Sequence, residues 1–353
     1  MFTSNCSYNI VSSVILAFVI FQVFVSSVSS VQSDYNYNNT NQKLRPRDES
    51  EKLKHIRDYL NKINKQAVMT IQSPDGDTID CVLTHQQPAF DHPQLIGQKP
   101  MDPPNKMPKW VISSSNKTFK KSFQLWTKSG ESCPENTIPI RRTTEQDVLR
   151  ANSVRTFGRK TVTSDSDSDN HEHAVGLVNS DEYLGAGAII NVWAPYVEEL
   201  GEFSVSQIWL TAGSPSDQDT IEVGWIVNPQ LFGDQLPRLF TYWTSNGYKT
   251  GCFNLQCSGF VHICNNIALG AVISPVSSYN GRQYDIPISV YKNRDDSNWW
   301  LWVNGNFVGY WPSFLFTHLE DHATMVEFGG EIVNKKSSGT HTSTRMGSVL
   351  SQT

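Results

Sequence analysis

TIEVGWIVNP, residues 220–229, is an apolar, β-prone run with a carboxylate inside it. Ile221, Val223, Trp225 and Val227 alternate as one face of a strand must, because successive side chains point to opposite sides. Glu222 takes the other face, with Gly224 and Ile226. MVEFGGEIV, residues 325–333, repeats the pattern. Val326, Phe328, Gly330 and Ile332 share one face, and Glu327, Gly329 and Glu331 the other. Both strands thus set glutamate beside glycine, and a residue without a side chain lets a backbone-like ligand approach the acid. A plainer reading competes: an antiparallel sheet commonly leaves one face in water, where a glutamate needs no function.

Outward from these two runs the chain continues in the same manner. AGAIINVW, FSVSQIWL, RLFTYWT, GFVHIC, YDIPISVY, NWWLWVN and FVGYW are further candidate strands, and Asn304-Gly305 sits between two of them as in a tight hairpin. Many short strands separated by turn signals predict an all-β antiparallel sandwich or barrel over residues 174–353. The 10 Trp, 12 Tyr and 17 Phe fall largely in such runs and suit an aromatic-lined cleft or surface.

The first half reads differently. Residues 10–25 are an apolar core followed by small residues, with Ser27 and Ser29 in an A-x-A-like arrangement, so residues 1–30 read as a secretory signal peptide. An uncleaved anchor is the rival reading. No other segment approaches the ~20 apolar residues that span a bilayer. Residues 31–50 are polar, Asn-rich and expected to be disordered. Leu53, Ile56, Leu60 and Ile63 then space one amphipathic helix, with Asp48 or Ser50 as its cap. A hairpin around Asp75-Gly76, a Pro-rich stretch and IPIRRT follow, giving a small α+β unit over 51–162. TSDSDSDNHEH, residues 163–173, reads as an acidic linker.

Export changes how cysteines are read. Cys6 leaves with the signal peptide, and the other five are disulfide candidates. CFNLQC closes a short loop between Cys252 and Cys257; Cys81 and Cys133 form the natural second pair, leaving Cys264. Asn38 and Asn116 are glycosylation acceptors. The net charge of −5 offers no electrostatic case for nucleic acid. No nucleophile elbow, P-loop or HExxH helix is present, and GAGA at 185–188 lacks the helix a dinucleotide site requires. His171, Glu172 and His173 read better as solvated linker than as metal ligands, and His318 and His322 as loop histidines with no third ligand. No metal or other cofactor is expected.

From Lys52 to about Gly347 the sequence resembles the plant neprosin family, secreted proteins with an activation peptide ahead of a catalytic domain. The resemblance lies in DCVLTHQQPAFDHP, CPENTIPIRRT, FGRK, HEHAVG, GAGAIINVWAP, FSVSQIWL, IEVGWIVNPQLFGD, RLFTYWTSNGYKTGCFNLQCSGFV, ALGAVISPVSSY, YWPSFLF, FGGEI and GTHTSTRMGS, in that order. It implies a β-sandwich glutamic endopeptidase that cuts after proline, held inactive by its own prodomain. The family's two catalytic glutamates match Glu222 in EVGW and Glu331 in FGGE. Alternation alone does not separate Glu331 from Glu327; the family pattern favours Glu331. Gln207 in SQIW matches a strand glutamine expected to orient water or the scissile carbonyl. Trp225, Tyr242 and Trp243 are candidates for an apolar wall around a proline ring, and equally good core residues.

Two facing carboxylates cannot both ionise cheaply, so such a pair holds a shared proton in acid and can hydrolyse an amide without a metal. The expected protein is therefore a secreted zymogen whose partners are a proline-containing peptide and its own prodomain. Processing is expected between about Phe157 and His173. Family members continue past HTSTRMGS into a closing strand, and this chain ends at Thr353, so an open sheet edge is expected. The rival function is a non-catalytic extracellular sandwich that binds carbohydrate or peptide on a tryptophan-rich face.

Overall fold

Alternating apolar residues produce two antiparallel sheets that close on one core. The computed structural model describes residues 46–111, 122–128, 130–151, 153–160, 170–336 and 340–347. The signal peptide, residues 31–45, Asn38, Asn116, the linker residues 163–169 and the chain end 348–353, on which the expected open edge turns, lie outside them. From Ser50 to Thr353 the chain is one compact unit.

The larger sheet has the order β4(His171–Tyr183), β14(Ala323–Val333), β6(Ser204–Ala212), β7(Asp219–Val227), β8(Arg238–Ser245), β9(Thr250–Phe253). The smaller has β10(Val261–His262), β13(Asn306–Trp311), β12(Trp299–Val303), β11(Asp285–Lys292), β5(Gly185–Asn191). Ile221, Val223, Trp225 and Val227 enter the core between the sheets, with Ile208, Leu210, Trp243, Ile288, Val290, Trp299 and Trp311. Burying one such side chain is worth about 1.5–3 kcal/mol, so the alternating face fixes the strand register. Trp225 also spans the sheets, its indole N–H donating to Asn191 O at 2.9 Å.

Sequence and structure differ at three places. The helix α1(Pro46–Ile63) starts at a proline, which suits a first helical position, inside the stretch expected to be disordered. Asp48 and Ser50 therefore lie within the helix and not ahead of its first residue. His171–His173, expected in the linker, begin β4, where they pair with β14 and gain a full ladder of backbone hydrogen bonds. The short β9 is the third difference: its TGCF run, bounded closely by turn residues, carries no strand signal of its own.

The N-terminal part forms a three-stranded sheet, β1(Ala67–Gln72), β2(Thr78–Leu83) and β3(Thr137–Arg141), with α1 and α2(Glu145–Arg150). Thr144 caps α2 in a reciprocal capping box with Asp147. The disulfides join Cys81 to Cys133 and Cys252 to Cys257, and Cys264 is a buried free thiol. No bridge among these residues ties the three-stranded sheet to the sandwich.

Noncovalent contacts tie them instead. Apolar side chains from residues 89–111 cover an aromatic face of the smaller sheet made by Tyr291, Trp300, Trp302 and Tyr310. The tryptophan-rich face of the rival reading is thus covered. The buried Arg238 of β8 pairs with Asp77 of the β1–β2 hairpin and with Asp234, and donates to Gly270 O at 2.8 Å. Removing one partner of a buried ion pair strands the others without compensation, at a cost of about 3–5 kcal/mol. Arg238→Ala should therefore lower the melting temperature of the full chain strongly, whereas truncating the exposed Arg294, paired at the surface with Glu182, should leave it nearly unchanged.

Candidate active site

The face of the larger sheet turned away from the core carries both strand glutamates. Register places Gly224 of β7 and Gly329 of β14 on either side of Gln207 of β6. A Cβ on Gly224 would strike Ser206 O at 2.0 Å, and one on Gly329 would strike Ala174 O at 2.1 Å. The glycines are thus required first by the close approach of neighbouring strands, and the result is a lane in which Gln207 has no side chain beside it. The Gln207 amide nitrogen lies 3.5 Å from Glu331 Oε2, and its buried Oε1 has no hydrogen-bond partner among the described residues.

Glu222 and Glu331 stand on this face, the first fully buried and the second 3% exposed. A solvent-facing glutamate is excluded at both positions. Glu222 accepts from the Thr220 hydroxyl at 3.1 Å and from Lys160 Nζ at 2.6 Å. Glu331 meets Gln207, the His171 ring Nδ1 and, at 3.9 Å, His173 Nε2. Glu327 is only half-buried and lies opposite Trp209, which separates it in register from Glu222.

The two carboxyls are driven in opposite directions. Burial pushes Glu222 up, Lys160 opposes it, and the charge of Glu331 adds to the rise. Burial also works to raise Glu331, but Lys160, His171 and His173 outweigh it and leave this carboxyl below the usual range. Lys160 is disfavoured by burial, yet Glu222 and then Glu331 hold its proton far more firmly than water would. One ammonium thus serves two acids.

The N-terminal part delivers that ammonium. Ile56 of α1, Val148 of α2 and Phe157 pack on Ile226, Phe240, Tyr242 and Phe253, closing the glutamate face with apolar side chains. Gly158 O accepts from Phe253 N–H at 2.9 Å, so the chain runs along β9 and brings Lys160 over the Tyr242 ring, 5.1 Å from its centroid. Tyr242, opposite Glu222 in register, is pushed up to about 12, chiefly by burial.

Of the residues singled out in the sequence, Glu222, Glu331, Gln207 and Tyr242 meet on one face. Trp225 and Trp243 do not. Both lie in the core between the sheets, because strand alternation turns them away from Glu222, so neither forms a wall of this site. Lys160, His171 and His173 were missed as site residues. The FGRK and HEHAVG strings contain them, but nothing in their local pattern points at a strand face far along the chain.

The Neprosin activation peptide family model matches residues 70–177, and the Neprosin model matches residues 200–351. The first span includes Lys160, His171 and His173; the second includes Gln207, Glu222 and Glu331. A crystal structure of Scytalido-glutamic peptidase with a peptide-based transition-state analogue aligns at 13% identity over 49% of this chain and 70% of that one. Its TM-score of 0.26 makes this likeness too slight to bear on fold or function. With both family models matched in their expected order along the chain, the protein belongs to the neprosin family.

Proposed function

We propose that this chain is the secreted zymogen of a glutamic endopeptidase that hydrolyses peptide bonds after proline in acid. The supporting observation is the site itself: two buried strand glutamates share one face with an unsatisfied glutamine, and a lysine from the activation-peptide region neutralises them under an apolar cover. Export is supported by the N-terminal apolar segment and the two disulfides. The preference for proline rests on the family resemblance, with Tyr242 and Trp209 the aromatic residues opposite Glu222 in register.

The opposed environments assign roles to the acids. Glu331, kept ionised, takes a proton from water as the water oxygen attacks the scissile carbonyl. Glu222, pushed towards its protonated form, donates to the developing oxyanion, together with the Gln207 amide. The tetrahedral intermediate collapses when a proton reaches the leaving nitrogen. In the covered state Lys160 blocks this by occupying Glu222, while the apolar cover closes the face a substrate would enter. Acid favours release, since a protonated Glu222 no longer holds the ammonium.

Glu222→Gln or Glu331→Gln in the acid-activated protein should each lower the cleavage rate of a Pro-containing peptide by at least ~100-fold, with folding retained. Glu327→Gln should be nearly neutral. Chelators should have little effect. Loss on Glu327→Gln with Glu331→Gln spared would move the second acid to Glu327; an inactive parent would favour the binding-module reading.

Release of Lys160 and retention of β4 together require a cut between residues 161 and 171. Terminal sequencing of the acid-processed protein should find its first residue in that interval.

Lys160→Met in the uncut chain tests the counter-charge. Without Lys160 the folded-state pKa of Glu222 rises further above its unfolded value. The associated stability is then full below the unfolded value, about 4.3, and is lost as pH rises through the folded one. The melting temperature of Lys160→Met should fall relative to the parent between roughly pH 4 and 7. A difference that does not vary with pH would exclude the ion pair as the stabilising contact.

A further inference from the structure

The reaction proposed above needs one glutamate ionised in acid, yet Lys160, a cation that secures this in the covered state, departs with the cover. We propose that His171 and His173 are positioning residues for the reaction, an imidazole pair on the first strand of the sandwich that takes over from Lys160 as the counter-charge of Glu331. The inference rests on the peptidase reading for its purpose, and on the coordinates for the pairing.

Antiparallel register sets His173 directly opposite Glu331, and His171 two residues along on the same face. His171 Nδ1 bonds to Glu331 Oε1, with His173 Nε2 at 3.9 Å from the same oxygen. The two rings stack at 6.3 Å and are flanked by Phe203 at 5.7 Å from His171 and Trp209 at 6.1 Å from His173. These aromatic neighbours fix the rings over the carboxylate. The imidazole side chains are 32% and 43% exposed against 4% for Glu331, so they exchange protons with water at the rim of a buried charge.

The charged groups that face Glu331 are Lys160, His171 and His173 as cations and Glu222 as the anion. Glu327 shares the face further along β14, and Glu172 turns to the opposite side, where it pairs with His341 and Asn334. Once Lys160 is gone, the histidines are the cations left in this set. A protonated imidazole is a cation, and an opposite charge at this range holds a carboxyl ionised to lower pH.

The test uses the full chain activated by acid incubation, comparing the parent with His171→Gln, the His171→Gln/His173→Gln double variant and His171→Lys. Loss of the imidazole charge should move the acid limb of the kcat profile up by roughly half to one pH unit, with KM little changed. Lysine should restore the limb, because its positive charge stands beside Glu331 throughout the acid range. An acid limb unmoved in the double variant overturns the proposal.

A second measurement does not depend on activity. In the uncut full chain, carbon-13 NMR titration of the Glu331 carboxyl should show its midpoint rise on His171→Gln, since the imidazole is one of the groups that hold that carboxyl low. An unmoved midpoint overturns the proposal whether or not the protein cuts peptides. A moved midpoint in a chain that cuts nothing upholds the pairing and removes the peptidase reading instead.

Discussion

A carboxylate with no exposure, set in the middle of a sheet, has to be compensated, and the arrangement of this chain follows from how Glu222 is compensated. An isolated buried charge costs several kcal/mol even after relaxation. Lys160 answers it at 2.6 Å. The ammonium reaches that point because Phe157 is seated among Ile226, Tyr242 and Phe253, and because α1 and α2 pack over the same patch. Remove the ion pair and the cover loses its reason to close over a polar face. Remove the cover and the ammonium returns to water. The acid, the lysine and the apolar lid form one cooperative unit.

The sheet beneath supplies rigidity of a different kind. Gly224 and Gly329 let β7 and β4 approach their neighbours more closely than any side chain would permit, and this fixes Gln207 between them. A glutamine in that lane cannot swing far, since backbone lies on both sides and the core lies behind. Its Oε1 is a buried polar atom with no hydrogen-bond partner among the described residues, and natural interiors rarely leave such atoms unpaired.

Much of this was legible in the sequence. Period-two alternation located β7 and β14, placed Glu222 and Glu331 on non-core faces, and predicted the sandwich. The same alternation, applied one step further, separates Trp225 and Trp243 from the glutamates, since aromatic character says nothing about which face a side chain takes. Three other features were hidden for physical reasons. His171–His173 look like solvated linker because β4 is an edge strand next to an acidic run, and edges tolerate polar sequence. The start of α1 was obscured by polar composition, which tertiary packing of Ile56 overrides. Lys160 gives no local signal at all, since its role depends on a strand sixty-two residues away.

The cover grips the sandwich at two separate places. One is the glutamate face, and the other is the aromatic platform of Tyr291, Trp300, Trp302 and Tyr310, held by residues 89–111. Cutting the chain between the two parts does not loosen either grip; it only turns a tethered inhibitor into an untethered one. The difference is concentration. While the chain is whole, the cover faces its site at the high effective molarity of a linked partner, and after scission that falls to its concentration in solution. In a confined compartment a cut protein would stay largely covered. On the zymogen reading proposed above, release into a larger volume would uncover the site as acid does, the two acting independently on the same contact.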